Sequence, residues 1–115
     1  MGKLHVDKTP TVAYNIHMVG IRETEEFSNW LNKLRDAVAK AKILVRVERL
    51  AKGNPGDVKP VGEGVSELRI HHGAGYRVYY TQRGEQVIVL LCGGDKDSQD
   101  QDIANAKKIA SELEE

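Results

Sequence analysis

Residues 64–96 of this chain read GVSELRIHHGAGYRVYYTQRGEQVIVLLCGGDK. Two segments in which apolar and polar residues alternate flank a glycine turn, and the apolar residues 87–92 follow them. Alternation with a period of two predicts half-buried strands, and a short continuous apolar run predicts a fully buried one. The stretch therefore predicts a sheet that presents arginines on one face.

The glycine turn fixes the register of the two alternating strands. A three-residue turn at residues 73–75 pairs His72 with Tyr76 and places all the apolar side chains on one face. These are Leu68, Ile70, Tyr76, Val78 and Tyr80. The other face then carries Glu67, Arg69, His71, Arg77 and Tyr79. A two-residue turn would mix the apolar and charged sets on both faces, which burial forbids.

Two helices are predicted before the sheet. A short strand runs into Arg22, and Thr24 then caps a helix whose apolar residues recur with helical spacing. Asp36 offers a second helix start, and the GNPG sequence at residues 53–56 ends that helix. The apolar stripes are Phe27, Trp30, Leu31 and Leu34 in the first helix and Ala39, Ile43, Val47 and Leu50 in the second.

The segments on either side of the hairpin complete the predicted fold. Residues 58–61 form a weak strand, and Pro60 removes a donor from it, which indicates an edge position. Ser98 and Gln101 have the spacing of a capping box at the start of a last helix. The buried stripe of that helix is Ile103, Ala106, Ala110 and Leu113. The pattern predicts an α+β fold, with a helical hairpin on an antiparallel-rich sheet of four to five strands and a C-terminal helix.

A chain of 115 residues is long enough for one domain with a modest core. Residues 1–17 are polar and weakly patterned, so we treat them as an N-terminal extension, either non-native or disordered, and place the domain at residues 18–115. The single Cys92 excludes an intramolecular disulfide, and no apolar stretch approaches the roughly 20 residues that cross a bilayer. These features, with the lack of a signal-peptide pattern, predict a cytoplasmic protein.

The charges are balanced in total but unevenly distributed. The 17 Lys and Arg equal the 17 Asp and Glu, so bulk electrostatics does not favour nucleic acid. Residues 33–52 hold seven cations against two carboxylates, a local charge of +5, and residues 94–115 hold three against seven, a charge of −4. Solvated helix faces are the simplest interpretation of either run.

The arginine-bearing face suits the handling of a phosphodiester. Cleavage of RNA by its own 2′-hydroxyl needs a base, cations for the charge that builds on the phosphate, and an acid for the leaving 5′-oxygen. Arg69 and Arg77 are suited to the cationic role, and Lys96 follows the next strand closely enough to join them. The opposing interpretation is that both arginines merely pair with Glu67 on a solvated face.

No metal or cofactor is expected. The four histidines show no ligand spacing with Cys92 or with a carboxylate pair. The glycine pairs of residues 73–75 and 93–94 lack the spacing of a phosphate-binding loop or a dinucleotide fingerprint.

Four segments together resemble the RelE/ParE superfamily of toxins. They read FSNWLNKLRD, GNPGDVKPVGEGVSELRI, GAGYRVYY and LLCGGDKDSQDQDIANAKKIA. More narrowly, the chain is similar to the HigB-like and phage-derived Gp49-like addiction-module killer proteins. The resemblance runs in order from about residue 21 to residue 113.

The resemblance implies a toxin of a type II toxin–antitoxin pair, held inactive by a helix-turn-helix, HigA-like antitoxin. It also implies a metal-independent endoribonuclease, an mRNA interferase that cuts mRNA on the ribosome. By the same resemblance the acting cations fall on Arg69, Arg77 and Lys96. With a neutral chain, further RNA contacts are expected at Arg46 and Arg49 of the basic run and at Lys59.

One departure leaves the proton-transfer groups open. Many ribosome-dependent members have a tyrosine or histidine near the start of the last helix, where this chain has Asp100, Gln101 and Asp102. His71 is a candidate because histidine titrates near neutral pH, and Tyr79 is another. Two other functions stay open: a ParE-like, non-catalytic inhibitor of DNA gyrase, and an inactive phage-derived protein that only binds a partner.

Overall fold

The computed structural model describes residues 5–6 and 19–113. The helices are α1 (Glu25–Lys33), α2 (Ala37–Ala51) and α3 (Gln99–Glu112), and a 3-10 turn, Lys96–Ser98, precedes α3. The strands are β1 (His5–Val6), β2 (Gly20–Glu23), β3 (Val58–Gly62), β4 (Val65–Ile70), β5 (Tyr76–Arg83) and β6 (Val87–Gly94).

The strands form one mixed sheet in the order β1-β2-β6-β5-β4-β3, of which five strands are substantial and β1 has two residues. β2 runs parallel to β6, and the other pairs are antiparallel. The Thr24 hydroxyl donates to the Leu91 carbonyl at 2.7 Å and ties the end of β2 to β6 across 67 residues of sequence. β3, which contains Pro60, lies at an edge as predicted.

Both predicted helix starts before the sheet are confirmed. The Thr24 hydroxyl accepts from the Phe27 N–H at 3.1 Å, and the Asp36 carboxylate accepts from the Ala39 N–H at 3.0 Å. Each bond satisfies one of the donors that the first turn of a helix leaves unpaired. α2 ends at Ala51, just before residues 53–56.

The sheet separates two apolar cores. α1 and α2 pack on one face, where Ile43, Leu68, Val78 and Leu90 belong to one hydrophobic cluster. α3 packs on the other face, where the core consists of Val65, Tyr79, Val89, Leu91, Cys92, Ala106, Ile109 and Ala110. The predicted α+β class, with a helical hairpin on the sheet and a C-terminal helix, is confirmed.

The turn between β4 and β5 is longer than predicted. Ile70 pairs with Tyr76 and Arg69 with Arg77, so the connection has five residues, 71–75, rather than three. The His72 N–H donates to the Ile70 carbonyl and the Gly75 N–H to the His72 carbonyl, which closes the chain before His72 can extend the ladder. The shift preserves the parity of both strands, so the division of apolar and charged residues between the faces is as predicted.

A bulge in β6 adjusts the α3 face. Tyr79 pairs with Cys92 and Tyr80 with Leu90, which leaves Leu91 as an extra residue. The extra residue changes the alternation of the strand. As a result, both Leu91 and Cys92 belong to the α3 core.

The predicted capping box at Ser98 and Gln101 is wrong by one turn. The observed box joins Asp95, whose carboxylate accepts from the Ser98 N–H, and Ser98, whose hydroxyl accepts from the Asp95 N–H. It caps the 3-10 turn, and Ser98 makes no side-chain cap for α3 itself.

The N-terminal extension contributes one short element to this description. His5 and Val6 pair with Glu23 and Arg22 at the edge of the sheet. The rest of residues 1–17, including His17, lies outside the described residues. In the part of the chain that the structure describes, no helix has the length and apolar character to span a bilayer.

Candidate functional site

Glu67 stands at the centre of a polar cluster on the α3 face, where β4 and β5 reach their ends at the 71–75 loop. Its side chain is fully buried. Oε1 accepts from Arg69 Nε at 2.9 Å, and Oε2 accepts from the Tyr79 hydroxyl at 2.9 Å and from the Gln99 amide at 2.8 Å. Arg77 Nε lies 3.5 Å from Oε2. One carboxylate therefore organises two arginines, a tyrosine and the first residue of α3; we call these five residues the Glu67 cluster.

The electrostatics of the Glu67 cluster keep the carboxylate charged. Burial acts to raise the pKa of Glu67, but hydrogen bonds from Gln99, Arg69 and Tyr79 and the charge of Arg77 outweigh it and lower the pKa below its ordinary value. The hydrogen bond to Glu67 raises the pKa of Arg69. Burial, followed by the hydrogen bond to Glu67, raises the pKa of Tyr79. Two guanidiniums facing one carboxylate leave the cluster with a net positive charge.

Arg77 keeps unused donor capacity in the Glu67 cluster. Its side chain is 13% exposed, and Nη1 donates to the Gly75 carbonyl at 3.3 Å. Nε is buried and has no hydrogen-bond partner among the described residues. A guanidinium whose donors are not all used within the protein is suited to bind an anion.

Lys96 lies beside Arg77. The Lys96 N–H donates to the Ala74 carbonyl at 3.3 Å, which holds the 3-10 turn against the 71–75 loop. A Cβ atom placed on Gly75 would lie 3.3 Å from Lys96 Cβ and 3.8 Å from Arg77 Nη1, so both side chains flank this glycine. Gly75 has a φ of 78°, a conformation that favours glycine. Lys96 and Arg77 therefore flank the same glycine, and Arg69 pairs with Arg77 in the sheet.

His71 occupies a different place from the one predicted. β4 ends at Ile70, so the alternation that would have aligned His71 with Arg69 stops there. His71 Nε2 contacts the Asp57 carboxylate at 2.5 Å, and the imidazole is 74% exposed. The hydrogen bond from His71, ahead of the charges of Arg69 and Arg46, helps lower the pKa of Asp57. Asp57 thus connects His71 to the Arg69 side of the Glu67 cluster.

The three residues predicted to bind RNA are dispersed. Lys59 pairs with Glu67 in the β3–β4 register and is exposed, so it lies on the same face of the sheet as the Glu67 cluster. Arg46 belongs to α2 on the other face, and its guanidinium donates to the carbonyls of Arg69, Pro55 and Asp57. Arg49 is also on α2 and is exposed.

Two members of the Glu67 cluster differ from the sequence prediction, one in its role and one because it was missed. Tyr79 was a candidate for proton transfer, but it is fully buried and its hydroxyl is already used by Glu67. Gln99 was not selected at all, although it lies in the segment LLCGGDKDSQDQDIANAKKIA that carries part of the family resemblance. Its position at the start of α3, after a fixed turn, is what aims it at Glu67.

The two glycines that end β6 allow both helical layers to approach. A Cβ at Gly93 would overlap the Trp30 ring of α1, and a Cβ at Gly94 would overlap the Asp102 carboxylate of α3. Asp102 in turn accepts from the Ser98 hydroxyl. The two glycines of the GGDK sequence therefore let α1 and α3 pack against the same end of β6. This packing fixes the position of the backbone that leads to Lys96.

The fold and the cluster define a small α+β domain with a cationic site at its strand ends, and comparison with known proteins gives its family. Residues 29–114 match the model of the family Phage derived protein Gp49-like (DUF891), and the chain belongs to this family. The family is associated with toxin–antitoxin modules. The chain is also similar to an uncharacterized protein of Haemophilus influenzae, with 50% identity over 95 residues that cover 83% of this chain and 96% of the relative.

Proposed function

We propose that this protein is the toxin of a type II toxin–antitoxin pair and inhibits translation in the cytoplasm by cleaving ribosome-bound mRNA without a metal ion. The family association supports the toxin role. The observation that carries the nuclease role is the direct pairing of Arg69 with Arg77 around the buried Glu67. Like charges opposite each other on a sheet are unfavourable, so a fold that only needed stability gains little from this pair.

The cationic groups suit the transition state of RNA cleavage. As the 2′-oxygen attacks phosphorus and the bond to the 5′-oxygen breaks, negative charge builds on the equatorial phosphate oxygens. In the proposal, Arg77 and Lys96 bind these oxygens. Arg69 holds Glu67 and contacts the sugar-phosphate backbone of the mRNA. Glu67 is a positioning residue, because it touches the arginines and not the substrate.

Proton transfer is assigned to His71. In the proposal its imidazole takes the proton of the attacking 2′-hydroxyl, and Asp57 fixes the orientation of the ring. The Asp57 carboxylate also stabilises the imidazolium that forms. The group that protonates the leaving 5′-oxygen is left to the ribosome or to solvent.

The mRNA path continues along the edge of the sheet. Lys59 lies on the same face as the Glu67 cluster and offers an exposed cation to a neighbouring phosphate. Arg46 is committed to three carbonyls and, like Arg49, belongs to the opposite layer, so neither is part of this path. The proposed partners are mRNA, the ribosome and a cognate antitoxin of the helix-turn-helix, HigA-like kind.

A gyrase-binding toxin without catalysis is the second candidate. It is favoured by the start of α3, where Asp100 is exposed and Asp102 is engaged by Ser98. No aromatic side chain is available there to stack on a base or to donate a proton. The same toxin–antitoxin context would apply to it.

The test is inducible expression in bacteria, with primer extension on cellular mRNA for the wild type, Arg77→Ala and Arg22→Ala. Arg22 is an exposed arginine of β2, outside the Glu67 cluster, and serves as the matched control. We expect cuts within translated reading frames for the wild type and Arg22→Ala, and a loss of at least about 100-fold for Arg77→Ala.

Circular dichroism of the purified variants checks that Arg77→Ala still folds. Growth arrest without mRNA cuts would refute the nuclease and favour the gyrase candidate. Cuts that persist in a folded Arg77→Ala protein would refute the role of the Glu67 cluster.

A further inference from the structure

α2 carries a second apolar stripe that nothing in the described chain covers. Its first stripe, Ala39, Ile43, Val47 and Leu50, is buried against the sheet. On the outer side, Val38 is 55% exposed and Val45 is 48% exposed. With Ala41 between them, these residues are spaced by three and four positions, the spacing at which one helix packs against another.

The outer stripe forms the floor of a groove of about 650 Å³ between α2 and the end of β4. We call this the α2 groove. Ala37 and Ala41 keep its floor low, and Ile70 and His71 form the opposite wall. Small side chains along a helix let the backbone of a second helix come close, so the shape fits a helix rather than a bulky loop.

The rim of the α2 groove is cationic and partly unpaired. Lys42, Arg46 and Arg49 line it. Arg46 is held by backbone carbonyls, whereas Lys42 and Arg49 make no ion pair with any carboxylate among the described residues. They belong to residues 33–52, where seven cations face two carboxylates. An occupant that brings carboxylates to both flanks would match this rim.

We propose that the α2 groove docks an acidic amphipathic helix of a partner protein, with apolar residues on Val38, Ala41 and Val45 and carboxylates on Lys42 and Arg49. A second copy of this chain is disfavoured, since two α2 faces would oppose their cations. The exposed side of α3, though acidic, presents no large apolar residue among the described residues.

Such docking has a consequence that rests on the proposed function. His71, which contacts Asp57, stands at the wall of the α2 groove. A helix seated there covers the proposed base while leaving the Glu67 cluster uncovered. The partner then inhibits the toxin by shielding His71, which fits the antitoxin of the proposed pair.

The experiment uses two designed fluorescent peptides of about 20 residues, roughly 30 Å long when helical. Both have leucines at alternating spacings of three and four, and they differ only in carrying glutamates or lysines on the flanks. Anisotropy measures their binding to the purified full chain. We expect saturable binding of the glutamate peptide and at least about tenfold weaker binding of the lysine peptide.

A matched pair of variants locates the binding. Val45 and Leu44 are both 48% exposed on α2, but only Val45 lines the α2 groove. Val45→Ser is expected to weaken binding of the glutamate peptide about tenfold and Leu44→Ser to leave it unchanged. The double variant Lys42→Glu/Arg49→Glu is expected to reverse the preference and bind the lysine peptide.

Several results would overturn the docking proposal. The first is that the glutamate peptide does not bind saturably. The second is that Val45→Ser and Leu44→Ser have equal effects on its binding. The third is that the Lys42→Glu/Arg49→Glu variant still prefers the glutamate peptide. Self-association of the wild type that Val45→Ser abolishes would assign the groove to a second copy. Binding of a single-stranded RNA oligonucleotide that Val45→Ser abolishes would assign it to RNA.

The peptide assay also separates this proposal from the proposed nuclease. Arg77→Ala should bind the glutamate peptide as the wild type does, whether or not the protein cuts mRNA. Val45→Ser should still arrest growth if the toxin role is right. Loss of peptide binding in Arg77→Ala would count against the docking proposal. A wild type that neither arrests growth nor cuts mRNA would count only against the proposed toxin function.

Discussion

The two faces of the sheet bury their side chains by different means. On the α1–α2 face the buried cluster consists of hydrophobic side chains, among them Leu68, Val78 and Leu90 of the sheet and Ile43 of α2. On the α3 face the apolar core reaches Tyr79 and then gives way to the Glu67 cluster. Glu67 and Leu68 are adjacent in β4, and each is fully buried, one toward each helical layer. Burial alone therefore does not distinguish a packing position from a site position.

The difference lies in how much each residue tolerates a change. An apolar contact loses stability in proportion to the volume removed, whereas a buried carboxylate depends on every one of its partners. The α1–α2 face is the part of the molecule that sets stability. The α3 face near the loop is the part that sets the position of charges.

The largest loss of stability is expected for Leu68→Ala. Leu68 is fully buried in the α1–α2 core, so the substitution leaves a cavity and should lower the free energy of unfolding by about 3 to 4 kcal/mol. Urea denaturation at neutral pH measures this change. Leu68→Met, which conserves volume, should cost less than about 1.5 kcal/mol. Equal losses for the two variants would mean that the face is not packed as described.

A smaller loss of stability is expected for Gly93→Ala. Together with Gly94→Ala, this variant tests the two faces of the sheet at the same end of β6. The added methyl overlaps the Trp30 ring, and α1 must shift, at a cost of about 2 to 3 kcal/mol. Gly94→Ala meets the carboxylate of Asp102 and the hydroxyl of Ser98, two side-chain ends that can rotate away and give up the bond between them. That variant should lose about 1 kcal/mol. If Gly94→Ala were the more costly of the two in thermal or urea denaturation, the assignment of the faces would be reversed.

A modest loss that depends on pH is expected for Glu67→Gln. The amide keeps the volume but removes the charge that holds Arg69 and Arg77, at a cost of about 1 to 2 kcal/mol near neutral pH. Because the folded-state pKa of Glu67 lies below its ordinary value of 4.5, the contribution is complete above that pH. It is lost as the pH falls through the folded-state pKa.

The measurement is urea denaturation of wild type and Glu67→Gln near neutral pH and at about pH 3.5. The difference between them should shrink in acid, and the Leu68→Ala difference should not. If the difference in unfolding free energy between wild type and Glu67→Gln instead stayed constant or grew in acid, that result would show that the charge of Glu67 does not stabilise the fold through the arginines.

Most of the fold followed from local signals in the sequence. Thr24 and Asp36 are short polar residues placed just before apolar helical stripes, and both act as caps as predicted. The apolar faces of β4 and β5 were also correct, since parity survives a change in turn length. The turn length itself was missed because hydrogen bonds within the loop close the chain at His72, and a further contact joins the loop to Lys96 in a distant part of the chain.

The site was less predictable for the same reason. Arg69, Arg77 and Glu67 were placed on one face by alternation alone, and the structure has them in contact. Gln99 reaches Glu67 across 32 residues of sequence, and no pattern within α3 indicates that contact. His71 was misplaced because alternation holds only while the strand continues, and β4 ends one residue earlier.

The parallel pairing of β2 with β6 delays completion of the sheet during synthesis. β2 ends at Glu23, and its parallel partner β6 begins only at Val87, so through much of translation the growing chain lacks the strand on one side of β2. Long-range pairings close late because the intervening loop must be ordered first. Lys96 follows β6 closely in the chain, so it is positioned only after that strand has docked. For the proposed toxin, this order of events keeps a nascent chain inert on the ribosome that is making it.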